Sequence, residues 1–285
     1  MSGAYCIGEC MVELRGAGDG LLRQGFAGDS YNTAVYLKRS APEIAVSYLT
    51  ATGTDPMSQA MRAAWSAEGI EDDLAFAVPD RRPGLYMIEL DAAGERRFHY
   101  WRGESAAKRW LSELRKAGVG KLVGAELVYL SGISLAILSP DEQLDALALL
   151  DELRGKVGKV AFDPNYRPAL WRSREEAAGM AREAVARSDI FLPSSEDMET
   201  LFAGDALPGC PETAMTADGA RCLVNGEWVS GELAARVVDT SGAGDSFNGA
   251  YLGARLRGAA PQEAAKAGLA LAAKVVGHAG AIIPR

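Results

Sequence analysis

Near the C-terminus the run Asp239-Thr240-Ser241-Gly242-Ala243-Gly244-Asp245 sets a stretch of nearly bare backbone between two carboxylates. It follows the β-rich pair Val237-Val238 and leads into a stretch that reads as a helix, with small residues at Gly249, Ala250, Gly253 and Ala254. The first amides of a helix lack intrahelical partners and sit at the positive end of its dipole. Glycine lets a phosphate come close to such amides. A carboxylate in that position can accept the proton of a hydroxyl that attacks phosphorus, the task of a general base in phosphoryl transfer. Taken alone, a Gly-Ala-Gly-Asp turn is also compatible with an ordinary turn.

Three other places carry polar groups that could join it. The run GFAGDSYNTA, starting at Gly25, leads into a helix and offers Gly28, Asp29 and Asn32 to sugar hydroxyls; the plainer reading is a helix capped by Asp29 or Ser30. In DPNYRP, Asn165 and Arg167 follow the strand-like KVAF and so lie at a strand's carboxyl end, although a surface ion pair is the usual fate of an arginine. Residues 85–102 read as two strands joined by the turn DAAG. Period-two alternation puts Tyr86, Ile88 and Leu90 on one face of the first strand, and Phe98, Tyr100 and Arg102 on one face of the second. Such a hairpin is either a lid or a covered edge. An arginine on it could grip a carboxylate with two parallel hydrogen bonds.

The elements that must position these groups alternate in type. AYCIGECMVEL reads as a strand, DSYNTAVYLKR as a helix, and IAVSYLTAT as a strand. The next helix has Asp55 as its cap, Pro56 at its first position and Gly69 as its stop. LVYLSG, KVAFD and IFLP are short apolar runs suited to buried parallel strands, with helices between them. Ser173 and Glu176 have capping-box spacing, and Asn225-Gly226 marks a hairpin. The last two helices begin near Asp245 and Pro261. Strand and helix in turn imply an α/β fold with a doubly wound, mostly parallel sheet, its ligands beyond the carboxyl ends of the strands.

Composition sets limits. The chain has 285 residues, 48% hydrophobic and 24% charged, and a net charge of −8. That size and core fraction suit one α/β unit with an appendage. The acidic balance argues against nucleic acid or an anionic membrane surface as partner. LALAAKVV is far short of the roughly 20 apolar residues that a membrane span needs. The opening MSGAYCIGEC has no signal-peptide pattern, and Cys6, Cys10, Cys210 and Cys222 match no zinc spacing. A cytoplasmic protein with reduced, mostly buried thiols is expected. IGECMVEL carries no Gly-x-Gly-x-x-Gly turn, which sets a dinucleotide oxidoreductase aside.

Together these residues carry a resemblance. DTSGAGD resembles the C-terminal signature of the PfkB (ribokinase-like) carbohydrate kinases, and GFAGDSYNTA their N-terminal signature. IGECMVEL, GLYMIELDAAGERRFHYWR, YLSGISLAILSP, NYRPALW and GAIIPR are similar to the 2-keto-3-deoxygluconate kinases within that family, over nearly the whole chain. The resemblance implies a ribokinase-like three-layer α/β/α fold whose β lid is formed by about residues 9–26 and 82–104. It implies transfer of the ATP γ-phosphoryl group to the C6 hydroxyl of a keto sugar acid, with Mg²⁺ and without a dedicated set of protein metal ligands. Asp245 then matches the base, and Gly242, Ala243 and Gly244 the anion hole. Gly28, Asp29, Asn32, Tyr86, Tyr100, Arg102 and Arg167 match substrate-binding positions. Asn165, Ser194, Thr216, Gly219, Gly242 and Gly244 match nucleotide-binding ones. The exposed lid strands suggest a homodimer paired through the lid.

The chain departs from the family pattern twice. Ser194 and Asp197 stand where relatives usually carry an Asn-x-x-Glu motif, and residues 204–222 are shorter than the usual nucleotide-side segment. A kinase for a neutral sugar such as fructose or tagatose, or a sugar-binding relative without catalysis, are the alternatives. Two arginines fit a sugar acid better than a neutral sugar, and an intact Gly-Ala-Gly-Asp argues for catalysis.

Overall fold

The computed structural model describes residues 3–90, 96–203, 209–218 and 220–285. Its strands in chain order are β1 (Ala4–Ile7), β2 (Met11–Gly16), β3 (Leu22–Ala27), β4 (Val46–Thr52), β5 (Ala75–Ala77), β6 (Leu85–Leu90), β7 (Arg96–Trp101), β8 (Leu127–Ser131), β9 (Lys159–Asp163), β10 (Ile190–Phe191), β11 (Glu212–Ala217), β12 (Arg221–Val224) and β13 (Glu227–Ser230). Its α-helices are α1 (Asp29–Ser40), α2 (Pro56–Ala67), α3 (Trp110–Ala117), α4 (Gly132–Ala136), α5 (Pro140–Leu153), α6 (Arg174–Val185), α7 (Ser195–Phe202), α8 (Ala243–Leu256) and α9 (Pro261–Val275).

Nine strands form the main sheet in the order β13-β12-β11-β10-β9-β8-β1-β4-β5. Every pairing from β5 to β11 is parallel, and β12 and β13 add an antiparallel edge. Strands β4 and β8 are buried along their whole length, as parallel strands covered on both faces must be. Tyr31, Trp65, Phe247 and Leu269 bring α1, α2, α8 and α9 onto one face. Trp110, Leu147, Val185 and Phe202 bring α3, α5, α6 and α7 onto the other. The result is a three-layer α/β/α architecture, as the resemblance implies.

A second sheet of four strands has the order β3-β2-β6-β7. It is mixed, since β2 pairs antiparallel with β3 but parallel with β6. The hairpin register places Tyr86 opposite Tyr100 and Ile88 opposite Phe98, as alternation requires. The turn DAAG lies outside the described residues. AYCIGECMVEL is not one strand: it splits into β1 of the main sheet and β2 of the small sheet. The run stays buried through Gly8–Cys10, because β1 is covered on both faces of the main sheet and the start of β2 is buried too, so periodicity alone does not reveal the bend.

Local signals account for most helix starts. Asp55 Oδ1 accepts the amides of Met57 and Ser58 at 3.0 and 3.2 Å, with Pro56 at the first helical position. Ser173 accepts the Glu176 amide at 3.1 Å, but the Glu176 carboxylate turns to the amide and guanidinium of Arg172 instead of closing the box. Asn225 and Gly226 both take positive φ, 48° and 90°, as a two-residue hairpin turn of this twist needs.

Helix α8 lies directly on α1. A Cβ on Gly249 would fall 2.6 Å from Tyr36 Cβ and 2.7 Å from the Leu37 nitrogen, so only hydrogen fits between the helices. The two helices carry Asn32 and Asp245, and their close approach sets the distance between those side chains. Gly249→Val is expected to lower the unfolding free energy by about 1–3 kcal/mol through overpacking. Denaturant unfolding followed by circular dichroism checks this, and an unchanged midpoint would contradict the packing described.

Candidate active site

The turn before α8 is held from both sides. Gly242 caps the helix with a φ of +73°, and a Cβ there would lie 2.6 Å from the Ala281 carbonyl oxygen, so both conformation and space demand glycine. Asp239 Oδ1 accepts the Ser241 amide at 2.7 Å, and its Oδ2 accepts the Gly280 amide at 2.8 Å. The Ala243 amide is turned onto the Thr240 carbonyl at 3.3 Å. The Ser246 amide already donates to the Gly242 carbonyl at 2.8 Å, so within this turn the amides of Gly244 and Asp245 are the ones available to an anion. Nothing lies within 4 Å of the point where a Gly244 Cβ would stand, and Gly244 lines a cavity of about 660 Å³.

That cavity sits beyond the carboxyl ends of β9, β10 and β11. Asp163, Asn165 and Arg167 wall it after β9, Ser194 and Asp197 after β10, and Thr216 from β11. Gly242, Ala243, Gly244, Asp245 and Asn248 close the α8 side, and Phe98 of the small sheet completes it.

The carboxyl groups of this region are served by amide donors. Asn32 Nδ2 donates to Asp245 Oδ2 at 2.8 Å. Asn165 Nδ2 donates to Asp29 Oδ2 at 2.9 Å, and Asn248 Nδ2 to Asp163 Oδ2 at 2.7 Å. The Asn165 amide reaches Asp163 Oδ1 at 2.9 Å, for which Asn165 takes a left-handed φ of 34°. The Tyr166 amide reaches Asp197 Oδ1, also at 2.9 Å. Crowding and burial push protons onto two of these acids, Asp245 and Asp163. Asp245 rises from 3.8 to about 7, chiefly by burial and then by the Asp29 charge, with the Asn32 hydrogen bond and the Arg167 charge opposing. Asp163 is pushed well above the ordinary carboxylate range, first by burial and then by the charges of Asp197, Asp245 and Asp29. A carboxyl group poised near pH 7 can both take and release a proton under neutral conditions. Among the described residues, no three acids, histidines or cysteines converge closely enough to hold a metal ion by themselves.

The residues singled out from sequence fall into three groups. Asp245, Asn165, Arg167, Ser194, Thr216 and the Gly242–Gly244 turn share the large cavity. Asp29 and Asn32 reach it through their bonds to Asn165 and Asp245. Gly28, and neither Asp29 nor Ser30, caps α1, and Asp29 is the first helical residue, its carboxylate drawn to Asn165. Tyr86, Tyr100 and Arg102 lie on and just after the hairpin. The Tyr86 hydroxyl donates to Glu13, and the Arg102 guanidinium pairs with Glu9 while lying 5.9 Å from the centre of the Tyr100 ring. Gly219 lies outside the described residues. Ser194 and Asp197 cap α7 reciprocally, with Ser194 Oγ donating to Asp197 Oδ2 at 2.7 Å. That is how this chain fills the place of the family's Asn-x-x-Glu.

Sequence reasoning missed several residues. Asp163 is the last residue of β9, so the rule that points to strand ends could have flagged it along with Asn165. Asn248 stands three residues after Asp245 on the same helix face. A smaller pocket of about 220 Å³ shares Ser194, Thr216, Ala243 and Gly244 with the main cavity and continues onto Phe247, Leu269 and Ala272. These three read simply as helix core in the sequence.

The family model described as pfkB family carbohydrate kinase matches residues 1–285. The 2-dehydro-3-deoxygluconokinase of Escherichia coli K12 is 42% identical over 298 aligned residues, which cover 98% of this chain and 96% of that protein. The crystal structure of a 2-dehydro-3-deoxygluconokinase from Thermotoga maritima superposes with a TM-score of 0.86 at 21% identity, over 99% of this chain and 96% of that one. A sugar kinase from Pyrococcus horikoshii solved in complex with ATP superposes at 0.83 and 24% identity, over 98% and 93%.

The Asp245 shift has a consequence for stability. Its carboxyl group binds a proton more tightly folded than unfolded, so its contribution is most favourable below about pH 4 and is lost as pH rises through about 7. Asp245→Asn removes that loss. The variant is expected to melt above wild type at pH 8, with the gap shrinking toward pH 5. A gap independent of pH in thermal unfolding would contradict the shift.

Proposed function

The chain belongs to the pfkB family of carbohydrate kinases, and we propose that its cavity transfers the γ-phosphoryl group of ATP to the C6 hydroxyl of 2-keto-3-deoxygluconate (2-dehydro-3-deoxygluconate), giving the 6-phosphate and ADP. The observation that carries this reading is Asp245: a carboxyl group poised near pH 7 in the first turn of a helix whose open amides face the same cavity. The sugar hydroxyl is placed against Asp245 Oδ1, the oxygen not held by Asn32. As the hydroxyl oxygen bonds to phosphorus, its proton passes to Asp245 and the bond from phosphorus to the ADP oxygen breaks. Charge growing on the transferred oxygens meets the α8 amides and dipole.

Nucleotide phosphates fit the end of the cavity with the Gly242–Gly244 turn, Asn165, Ser194 and Thr216. The base fits the apolar floor of Phe247, Leu269 and Ala272. Mg²⁺, when bound with the nucleotide, supplies neutralisation of phosphate charge. Asp163 and Asp197 suit it through intervening waters, since no three acids converge on one point among the described residues. Arg167 on the wall and Arg102 at the root of the small sheet support a sugar acid over a neutral sugar, because each can neutralise a carboxylate. The small sheet, with Phe98 already at the cavity, serves as a lid that keeps water from competing as acceptor. The outer side of the lid exposes Trp101 and Leu22, which supports pairing of two chains there; a monomeric mass in solution scattering would contradict it.

An ADP-release assay over a panel of keto acids and ketoses tests the substrate. The keto acid is expected to give the highest kcat/KM, and a neutral ketose that outperforms it would overturn the assignment. Asp245→Asn is expected to lower kcat by about 10²–10⁴-fold. In wild type, kcat/KM is expected to rise with pH through an apparent pKa of about 7, since the base must be ionised in the free enzyme. An acid limb confined to pH 4 would remove Asp245 from that role.

A further inference from the structure

Where the chain crosses between the two sheets, four passages meet. Residues 8–10 lead from β1 into β2, Gly28 follows β3, Gly84 precedes β6 and Arg102 follows β7. Glu9 stands at their junction. Its side chain is 1% exposed, and its Oε2 accepts from a terminal nitrogen of Arg102. A Cβ on Gly28 would fall 2.1 Å from the Glu9 carbonyl oxygen, and one on Gly84 would fall 2.6 Å from Glu9 Oε1. Glu9 thus touches both a residue of the sugar-binding stretch and the arginine assigned to the substrate carboxylate.

The arrangement is a poor stability device. Glu9 Oε1 is buried and has no hydrogen-bond partner among the described residues. The pair is therefore single-pronged, and a buried ion pair with an unserved oxygen stabilises a fold less than a well-packed apolar contact of the same volume. What it achieves is geometric. Arg102 lies just beyond the last strand of the hairpin, where a long side chain has many rotamers, and Glu9 ties down one terminal nitrogen while, among the described residues, the other donors of the fork take no hydrogen-bond partner.

We propose that Glu9 is a positioning residue for substrate recognition, anchoring the Arg102 guanidinium at the root of the lid so that its free edge meets the substrate carboxylate. This rests on the keto-acid reading above. Glu9→Gln keeps the shape and one acceptor but removes the charge that anchors the guanidinium. The expected result is a KM for 2-keto-3-deoxygluconate raised about tenfold, the size of one weakened charge-assisted hydrogen bond. The kcat should stay within about twofold, and the KM for ATP should not change, because the lost interaction is made in the ground state as well as the transition state. Arg102→Gln should raise the same KM, and adding Glu9→Gln to it should raise it no further. An unchanged or lowered KM for the keto acid in Glu9→Gln overturns the proposal, the lowered value because it would make Glu9 a competitor for the arginine. A fall in melting temperature with both KM values rising together also overturns it, since that is a structural role alone. Wild-type enzyme that fails to phosphorylate the keto acid would sink both this proposal and the reading beneath it. Activity in wild type with an indifferent Glu9→Gln sinks this proposal alone.

Discussion

Setting a half-buried Asp245 in the first turn of α8, with the Asn32 amide group instead of a paired cation as its close partner, is the constraint on which the rest of the site depends. A carboxyl group in water gives up its proton near 3.8 and would be a feeble base toward an alcohol. Here burial and the nearby Asp29 charge raise it, while the Asn32 hydrogen bond keeps the rise in check. A cation paired with Asp245 would undo the shift. The site instead uses the neutral donors of Asn32, Asn165 and Asn248, one for each of Asp245, Asp29 and Asp163. This satisfies buried oxygens without discharging them.

That solution requires accurate placement, and the fold supplies it through packing. Asn32 and Asp245 are far apart in sequence and meet because α1 and α8 approach at Gly249 closely enough to exclude any side chain. Asp163 and Asn165 meet α8 and α1 because β9 delivers them at its carboxyl end in the middle of a parallel sheet. The Gly242 turn is wedged against Ala281 and tied to Gly280 through Asp239, so the C-terminal segment braces the turn that opens α8. Each of these contacts joins elements distant along the chain.

The small sheet follows a different logic. Its buried acids do have cations or hydroxyls as partners: Glu13 takes Tyr86 and Arg15, and Glu9 takes Arg102. Charge there is balanced within the sheet and at its root, whereas the cavity below is left acidic. In the reading proposed above, an anionic sugar would meet Arg167 on the cavity wall and turn its hydroxyl end toward the acids.

Much of this was legible in the residues themselves. Local chemistry sufficed for the Asp55 and Ser173 caps, the Asn225-Gly226 turn, the strand and helix alternation, and the Gly-Ala-Gly-Asp turn that opens α8, because each depends on neighbours within a few positions. The family signatures extended that reading to the fold and to most of the cavity wall. What sequence could not supply was partnership across the chain. AYCIGECMVEL runs on through a bend, because the end of β1 and the start of β2 are both buried and the pattern carries no mark of the change of sheet. Asp163 and Asn248 read as a strand end and a helix residue, and Phe247 and Leu269 as core, until the fold sets them around one cavity. Sequence alone determined which groups could do the chemistry and what elements carry them. Tertiary structure decided which carboxyl groups lose water and stand among like charges, because desolvation and long-range charge depend on what surrounds a side chain in space, and no local pattern encodes that.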